Sequence, residues 1–399
     1  MTKTINLAAK IDRLPPALKA IIGVAGELTR RRGDSLYLVG GVVRDLLLER
    51  ATFDIDLVTD RDAIGLAGEI AGSTEGKLTV HHRFGTAKIE YPGFSFDFTT
   101  ARAEDYRHPG ALPVVKPGTI RDDLFRRDFT INAMAIRLGT AGYGELIDLY
   151  GGLKDLNNKL IRILHDKSFI DDATRIWRAL RYQQRLDFKI ESGTLNLLKR
   201  DIAMLDTVSG DRIRYELECV FNETEPEKAL REAARLGVLQ KLHPALNTNE
   251  IPEAFRQARE VSQPKPPDFT MYLALLANSL SGPEADQLIS YLHLSKPAAK
   301  TLRDSIHLKS RLLELNKTGI KPSKVYRLLN GLTLTSLAAS ALIAPDSARQ
   351  QIERYLNGYR YVRPALNGND LLTLGIEPGP RMTKILARLR AARLDGEAT

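Results

Sequence analysis

Cysteine occurs once in the 399 residues, at Cys219, so no internal disulfide can close and no cysteine-built zinc site can form. Long hydrophobic runs are missing too. The most extended, Leu332 to Ala344, is broken by Thr and Ser, and nothing reaches the roughly 18 apolar residues that a membrane span needs. The amino terminus shows no secretory pattern, which together with the single thiol points to a reducing, cytoplasmic setting and no membrane partner. Histidine is sparse and scattered, and His165–Asp166 is the one His-Asp dipeptide, which argues against a metal-dependent phosphohydrolase domain. Acidic charge is in the minority: 58 Lys and Arg against 49 Asp and Glu leave a net charge of +9, a bias toward a polyanionic partner.

What is present falls into two textures. A chain of 399 residues is longer than one hydrophobic core supports, so several packed units are expected. From about Ser35 to Asp148, short β-rich runs alternate with glycine turns and helical stretches. "SLYLVGG" reads as a strand ending in a tight turn, "VVRDLLLER" as a helix, "FDIDLVTD" as a second strand, and "GTAKIEY" with "FSFDFTTAR" as a paired ribbon. After Asp166 the pattern becomes helical to the end, with breaks where Pro, Asn and Gly cluster, near "NTNEIPEA", "SQPKPPDF" and "VRPALNGND". The fold class read from this is α+β, a small mixed or antiparallel sheet followed by an all-α remainder.

Asp54 and Asp56 lie two apart in a predicted strand, so the pleat sets both on one face, where oxygen ligands can hold hard cations such as Mg²⁺. Such a pair can serve two ions that act on an attacking hydroxyl and a leaving pyrophosphate. Asp97, in the next predicted strand, is either a further carboxylate of that site or a structural partner of Arg102. Gly40 and Gly41 sit between a strand and a helix, where the backbone can approach a triphosphate. Arg44, one turn on, reaches the same phosphates with Asp45 placed to orient it. Thirteen residues from Gly41 to Asp54 allow one helix and a return strand to bring turn and carboxylates together.

Farther on, "DDLFRRDFTINAMA" gathers Arg126, Arg127, Asp128 and Asn132, combining phosphate-binding cations with groups able to bond a sugar hydroxyl. On composition alone it reads equally as a capped helix with a surface ion pair. Asp172, Arg175, Arg178 and Arg181 recur at every third position of a predicted helix after Phe169. The bland alternative is an i,i+3 ion pair on a solvated face. The chemical reading is sharper: a carboxylate that accepts from an amino group, beside a guanidinium that donates to a ring nitrogen, admits cytosine and adenine and rejects guanine and uracil.

"LVGGVVRDLLLERATFDIDLVT", "RRDFTINAMA" and "DDATRIWRALRYQQRLDF", in this order and spacing, resemble the class II tRNA nucleotidyltransferase and bacterial poly(A) polymerase family, and the closing "LNGNDLLTLGIEPGPRMTKILARLRAARLDG" resembles the end of its bacterial members. The resemblance implies a palm-like nucleotidyltransferase head (1–150), a helical neck that reads the base (151–225), a helical body (226–310) and a tRNA-binding tail (311–399). It implies CCA addition or repair at a tRNA 3′ end from CTP and ATP with two Mg²⁺ ions. Asp54 and Asp56 are then metal ligands, and Gly41, Arg44, Arg127, Asp128 and Asn132 bind nucleotide. The family's Glu-Asp-x-x-Arg motif falls on Asp171, Asp172 and Arg175, with Arg178 and Arg181 following toward phosphate; Asp171 stands where Glu is usual. Asp211, Arg212 and Glu216 of "VSGDRIRYELE" match a later block, read as a structural brace. Poly(A) tailing, CC-only or A-only addition, and a catalytically silent RNA-binding scaffold are the alternatives. Arg381, Lys384 and Arg388 follow helical spacing and can meet an RNA backbone or form a solvated face opposite Met382, Ile385 and Leu389.

Overall fold

The computed structural model describes residues 5–139, 142–249 and 251–398. It divides into two compact units, Met1–Ser209 and Gly210–Thr399.

The first unit is built on a seven-stranded sheet. Its strands are β1 (Leu36–Val39), β2 (Asp54–Thr59), β3 (Lys77–His81), β4 (Thr86–Tyr91), β5 (Phe94–Thr100), β8 (Met134–Arg137) and β9 (Leu146–Asp148). They lie in the order β3-β4-β5-β2-β1-β8-β9. Every neighbouring pair is antiparallel except β2 and β5, which run parallel, so the sheet is mixed. β1, "LYLV", is buried throughout, as a central strand covered on both faces must be. Toward one edge the register makes two opposed ladders. Ile55, Phe96 and Ile89 align across β2, β5 and β4, as do Leu57, Phe98 and Ala87, and all six are buried. The alternate positions carry Asp56, Asp97 and Lys88 in one rung and Asp54, Ser95 and Glu90 in the next. One face of this part of the sheet is therefore apolar core and the other is charged.

The helices of the unit are α1 (Ala8–Ile11), α2 (Pro16–Arg32), α3 (Gly41–Leu47), α4 (Ala63–Ser73), α5 (Ile120–Phe125), α6 (Gly152–Asn157), α7 (Ser168–Asp171) and α8 (Thr174–Leu186) among its earlier ones. α4 packs on β4 and β5, burying Ala63, Leu66, Ala67 and Ile70, and starts where the Asp62 carboxylate accepts from the Gly65 amide. α5 opens with a capping box between Thr119 and Asp122.

Two local expectations are revised, and one segment given no structure from its sequence is now defined. The segment between β5 and α5 forms a hairpin, β6 (Arg102–Asp105) with β7 (Val114–Pro117). Strand does not end before Asp166: β10 (Leu160–Ile161) pairs in parallel with β11 (Lys189–Ile190). Asp172 is not on the helix with the arginines. It has extended backbone (φ −143°, ψ 97°), and its Oδ1 accepts from both the amide and the hydroxyl of Thr174, a local turn that ends α7 and delays α8.

The second unit is helical, with no strand among its described residues. One of its cores gathers Leu308, Leu315, Val325, Leu329, Leu337, Ile352 and Tyr355 from successive helices. Among the described residues no helix is long and apolar enough to cross a membrane. The closing helix, Pro380–Leu394, buries none of its residues.

Candidate active site

The charged face of β2 and β5 holds three carboxylates and few compensating cations. Ser95 Oγ donates to Asp54 Oδ1 at 2.8 Å, and Lys88 Nζ donates to Asp97 Oδ2 at 3.2 Å. Asp97 thus has a partner other than Arg102, whose guanidinium goes to Glu104 and to the Phe84 carbonyl. Asp56 faces one cation, Arg127, and three other acids. Burial, reinforced by Asp97, Asp54 and Asp123 and opposed by Arg127, pushes its carboxyl up to about 6. A carboxylate so under-compensated favours a cation. Among the described residues no cluster of three His, Cys, Asp or Glu side chains is arranged to hold a metal. A divalent ion on Asp54 and Asp56 would therefore complete its coordination with water and ligand oxygens, the habit of Mg²⁺.

The glycine turn lies against this face. Gly40 has φ +77°, and a Cβ added there would stand 2.5 Å from Arg127 Nη1 and 3.2 Å from Asp56 Oδ2. Only glycine satisfies both the left-handed backbone and the close approach. Turn, carboxylate and arginine, far apart in the chain, are brought together here.

From the turn a chain of polar contacts runs to α8. Arg44, on α3, forks onto Asp45 with two bonds of 2.9 Å, and its Nη1 donates to Asn132 Oδ1 at 2.7 Å. Asn132 Nδ2 donates to Asp128 Oδ1 at 3.0 Å, while Arg178 places Nε and Nη2 on Asp128 Oδ2 at 2.9 and 2.6 Å. Burial alone would raise the Asp128 carboxyl, yet Arg178 and Asn132 bring it down to about 2. The ring of Tyr182 lies beneath three guanidinium groups: Arg44 at 5.2 Å, Arg178 at 5.8 Å and Arg181 at 5.0 Å from its centroid. Arg175 and Arg181, expected as a stripe on one side of a rod, are both buried.

A second buried carboxylate splits its oxygens between two arginines. Asp123 Oδ1 accepts from Arg126 at 3.0 and 2.6 Å, and Oδ2 accepts from Arg127 at 3.2 and 3.0 Å. Arg126 also reaches Glu104, and its carbonyl accepts from Arg175 Nη2 at 2.7 Å. Arg175 Nη1 donates to Ser168 Oγ at 2.6 Å. Asp123 thus links the arginine at the glycine turn to the peptide that fixes Arg175. Beside Arg175 opens a cavity of about 720 Å³, whose walls include Glu104, Tyr106, Phe125, Arg126, His165 and Asp171.

Comparison with known proteins decides the lineage. Residues 36–162 match the poly A polymerase head domain, and residues 187–249 match the probable RNA and SrmB-binding site of polymerase A. The A-adding tRNA nucleotidyltransferase of Halalkalibacterium halodurans is 33% identical over 93% of this chain and 87% of its own length. The chain belongs to the tRNA nucleotidyltransferase family. The A-adding tRNA nucleotidyltransferase of Geobacter sulfurreducens is 35% identical over 96% of the chain, which spans about half of that relative (46%). Among solved structures, the complex of a CCA-adding enzyme with ATP aligns with a TM-score of 0.82 at 30% identity, covering 99% of this chain and 96% of that one. The Thermotoga maritima CCA-adding enzyme complexed with tRNA_CCA aligns at 0.78 and 30% identity, covering 100% and 97%.

Around this site, sequence reasoning missed Tyr182, Asp123 and Lys88. Two of the three left a signal. Asp123 precedes Arg126 and Arg127 by three and four residues, and Arg178 precedes Tyr182 by four, spacings at which side chains meet on a helix. Lys88 left none, because its value depends on β4 pairing with β5 in one register. In the second unit, Asp211 pairs with Arg214 at 3.0 Å and with His293 at 2.9 Å, and Glu216 is buried.

Proposed function

We propose that the chain transfers CMP and/or AMP from CTP or ATP to the 3′ end of tRNA, releasing pyrophosphate, as a cytoplasmic enzyme. The observation that carries this reading is the convergence at Gly40, where the turn meets both Asp56 and Arg127. A triphosphate laid along that turn has carboxylates on one side and a guanidinium on the other.

Asp54 and Asp56 would hold Mg²⁺, with Asp97 the charged neighbour that sharpens their need for cations. Bound there, two such ions supply charge neutralisation of the triphosphate and a lowered pKa for the attacking hydroxyl. Gly40 and Gly41 offer backbone; Arg44 and Arg178 face the phosphates and ribose through the Asp128–Asn132 network, with Arg127 held by Asp123 and Arg181 over the Tyr182 ring. These contacts engage the arginines before substrate arrives, so their geometry is set in advance. Asp172 and Arg175 read the base. Arg175 is oriented by Ser168 and the Arg126 carbonyl. In the second unit Arg388 lines a hollow of about 910 Å³ with Lys317, Lys321, Lys324 and Arg327, a surface suited to the acceptor's phosphates within a tail spanning 311–399. Arg381 and Lys384 share its exposed helix. On the same reading residues 1–150 form the head, 151–225 the neck and 226–310 the body.

Addition of the terminal A alone is a second reading, favoured because the relatives at 35% and 33% identity both carry A-adding names. Three tRNAs, ending before CCA, after C and after CC, each incubated with single labelled nucleotides, separate the possibilities. Extension of all three to CCA supports complete addition. Extension of the CC-ended tRNA only, by one A, supports the second reading. A long homopolymer signifies tailing, and no incorporation on any acceptor overturns the proposal.

A further inference from the structure

Lys88 projects from β4 into the middle of the carboxylate face. Its rung places it opposite Asp97, which stands opposite Asp56, and the next rung adds Asp54 and Glu90. The Lys88 ammonium is 3.2 Å from Asp97 Oδ2, and both side chains are partly exposed, at 35% and 40%. Nothing in the apolar ladder behind requires a cation here: the neighbouring positions Ala87 and Ile89 already fill the core side of β4. The lysine therefore acts on the charged face alone. It sits where a third acidic ligand would be recruited, and no three-carboxylate cluster arranged to hold a metal forms among the described residues.

We propose that Lys88 is a tethered cation of the metal face, holding Asp97 out of the ligand set so that divalent ions bind weakly until a triphosphate supplies the missing oxygens. The inference rests on the metal-site reading above. A site of two carboxylates leaves several coordination positions for phosphate and water, whereas a third carboxylate would retain ions without nucleotide. An ammonium and a divalent ion also compete for the same electrostatic field, so deleting one strengthens the other.

The test is Mn²⁺ binding to the full chain without nucleotide, followed by calorimetry or by the electron paramagnetic resonance signal of free Mn²⁺, in the parent, Lys88→Met, Asp97→Asn and the double variant. Lys88→Met should lower the Mn²⁺ Kd roughly two- to fivefold, the range of a partly exposed charge pair. The double variant should return close to the parent, because the gain requires Asp97, and this non-additivity separates a local charge effect from a general one. Lys88→Arg, which keeps the charge, should resemble the parent. An unchanged or raised Kd in Lys88→Met, or a gain that survives in the double variant, overturns the role of Lys88. Asp54→Asn and Asp56→Asn in the same titration test the site itself: if neither weakens binding, the metal-site reading fails, and if both do while Lys88→Met has no effect, only the inference fails.

Discussion

Two charged surfaces meet across the glycine turn, and they are treated in opposite ways. The arginines around α8 are engaged in advance: Arg178 on Asp128, Arg44 on Asp45 and Asn132, Arg175 on Ser168 and the Arg126 carbonyl. The carboxylates of β2 are not. Asp54 takes one hydroxyl, and burial, reinforced by neighbouring acids, pushes the Asp56 carboxyl up to about 6. Long, flexible cations must be pinned by the protein to recognise a flat base and a phosphate with fixed geometry. Short carboxylates on a rigid strand need no pinning, and their uncompensated charge is what makes them ligands.

The comparison can be broken at several points. The largest effect is expected from Asp54→Ala or Asp56→Ala, each lowering kcat for nucleotide incorporation by about 10³-fold or more, the several kcal/mol that metal-assisted charge stabilisation contributes. Circular dichroism should show the fold intact, since neither residue anchors the core. On the other surface, Asp128→Ala strips a buried counter-charge from Arg178 and an acceptor from Asn132. It should cost about 3 kcal/mol of stability, read as a lower urea midpoint, with activity falling in step. An Asp54→Ala variant that unfolds like Asp128→Ala would erase the distinction between the two faces.

Smaller effects sharpen it. Asp172→Ala removes the proposed acceptor for the base amino group and should raise incorporation of UTP or GTP relative to CTP or ATP by about tenfold, from the loss of a contact of about 1–3 kcal/mol. Selectivity ratios measured with single nucleotides check this. Tyr182→Leu withdraws the ring beneath three guanidinium groups, each contact contributing about 0.5–1 kcal/mol. It should raise KM for nucleotide several-fold while changing kcat little.

Much of this division was already readable in the chain. Period-two alternation in "FDIDLVTD" and "FSFDFTTAR" placed Asp54 and Asp56 on one face opposite Ile55 and Leu57, and the glycine turn was visible as punctuation between strand and helix. The short span from Gly41 to Asp54 constrained which elements could meet. Partners across the fold were hidden. Asp97 pairs with Lys88 through the β4–β5 register, and Asp128 meets Arg178 from fifty residues away, contacts that no local pattern specifies. The helix boundary at Asp172 misled for a physical reason as well: the side chain of an aspartate can cap the following amide, and here that local bond with Thr174 outcompetes continuation of the helix. Burial of Arg175 and Arg181 was equally invisible, because a stripe of arginines looks the same on a wet face as on a buried one.

The most direct test concerns Asp56. Its raised folded-state pKa means that the native protein binds this proton more tightly than the unfolded chain does. In the metal-free protein the ionised carboxylate therefore detracts from stability above pH 6, and the loss is relieved as the pH falls through 6 toward 4. Thermal unfolding at pH 7.5 with and without Mg²⁺ and CTP decides whether that cost is the price of a cation site. The account predicts that Asp56→Asn raises the metal-free stability by on the order of 1 kcal/mol and abolishes the added stabilisation by Mg²⁺ and CTP. A variant with a lower metal-free Tm that still gains the full increment from Mg²⁺ and CTP would contradict it.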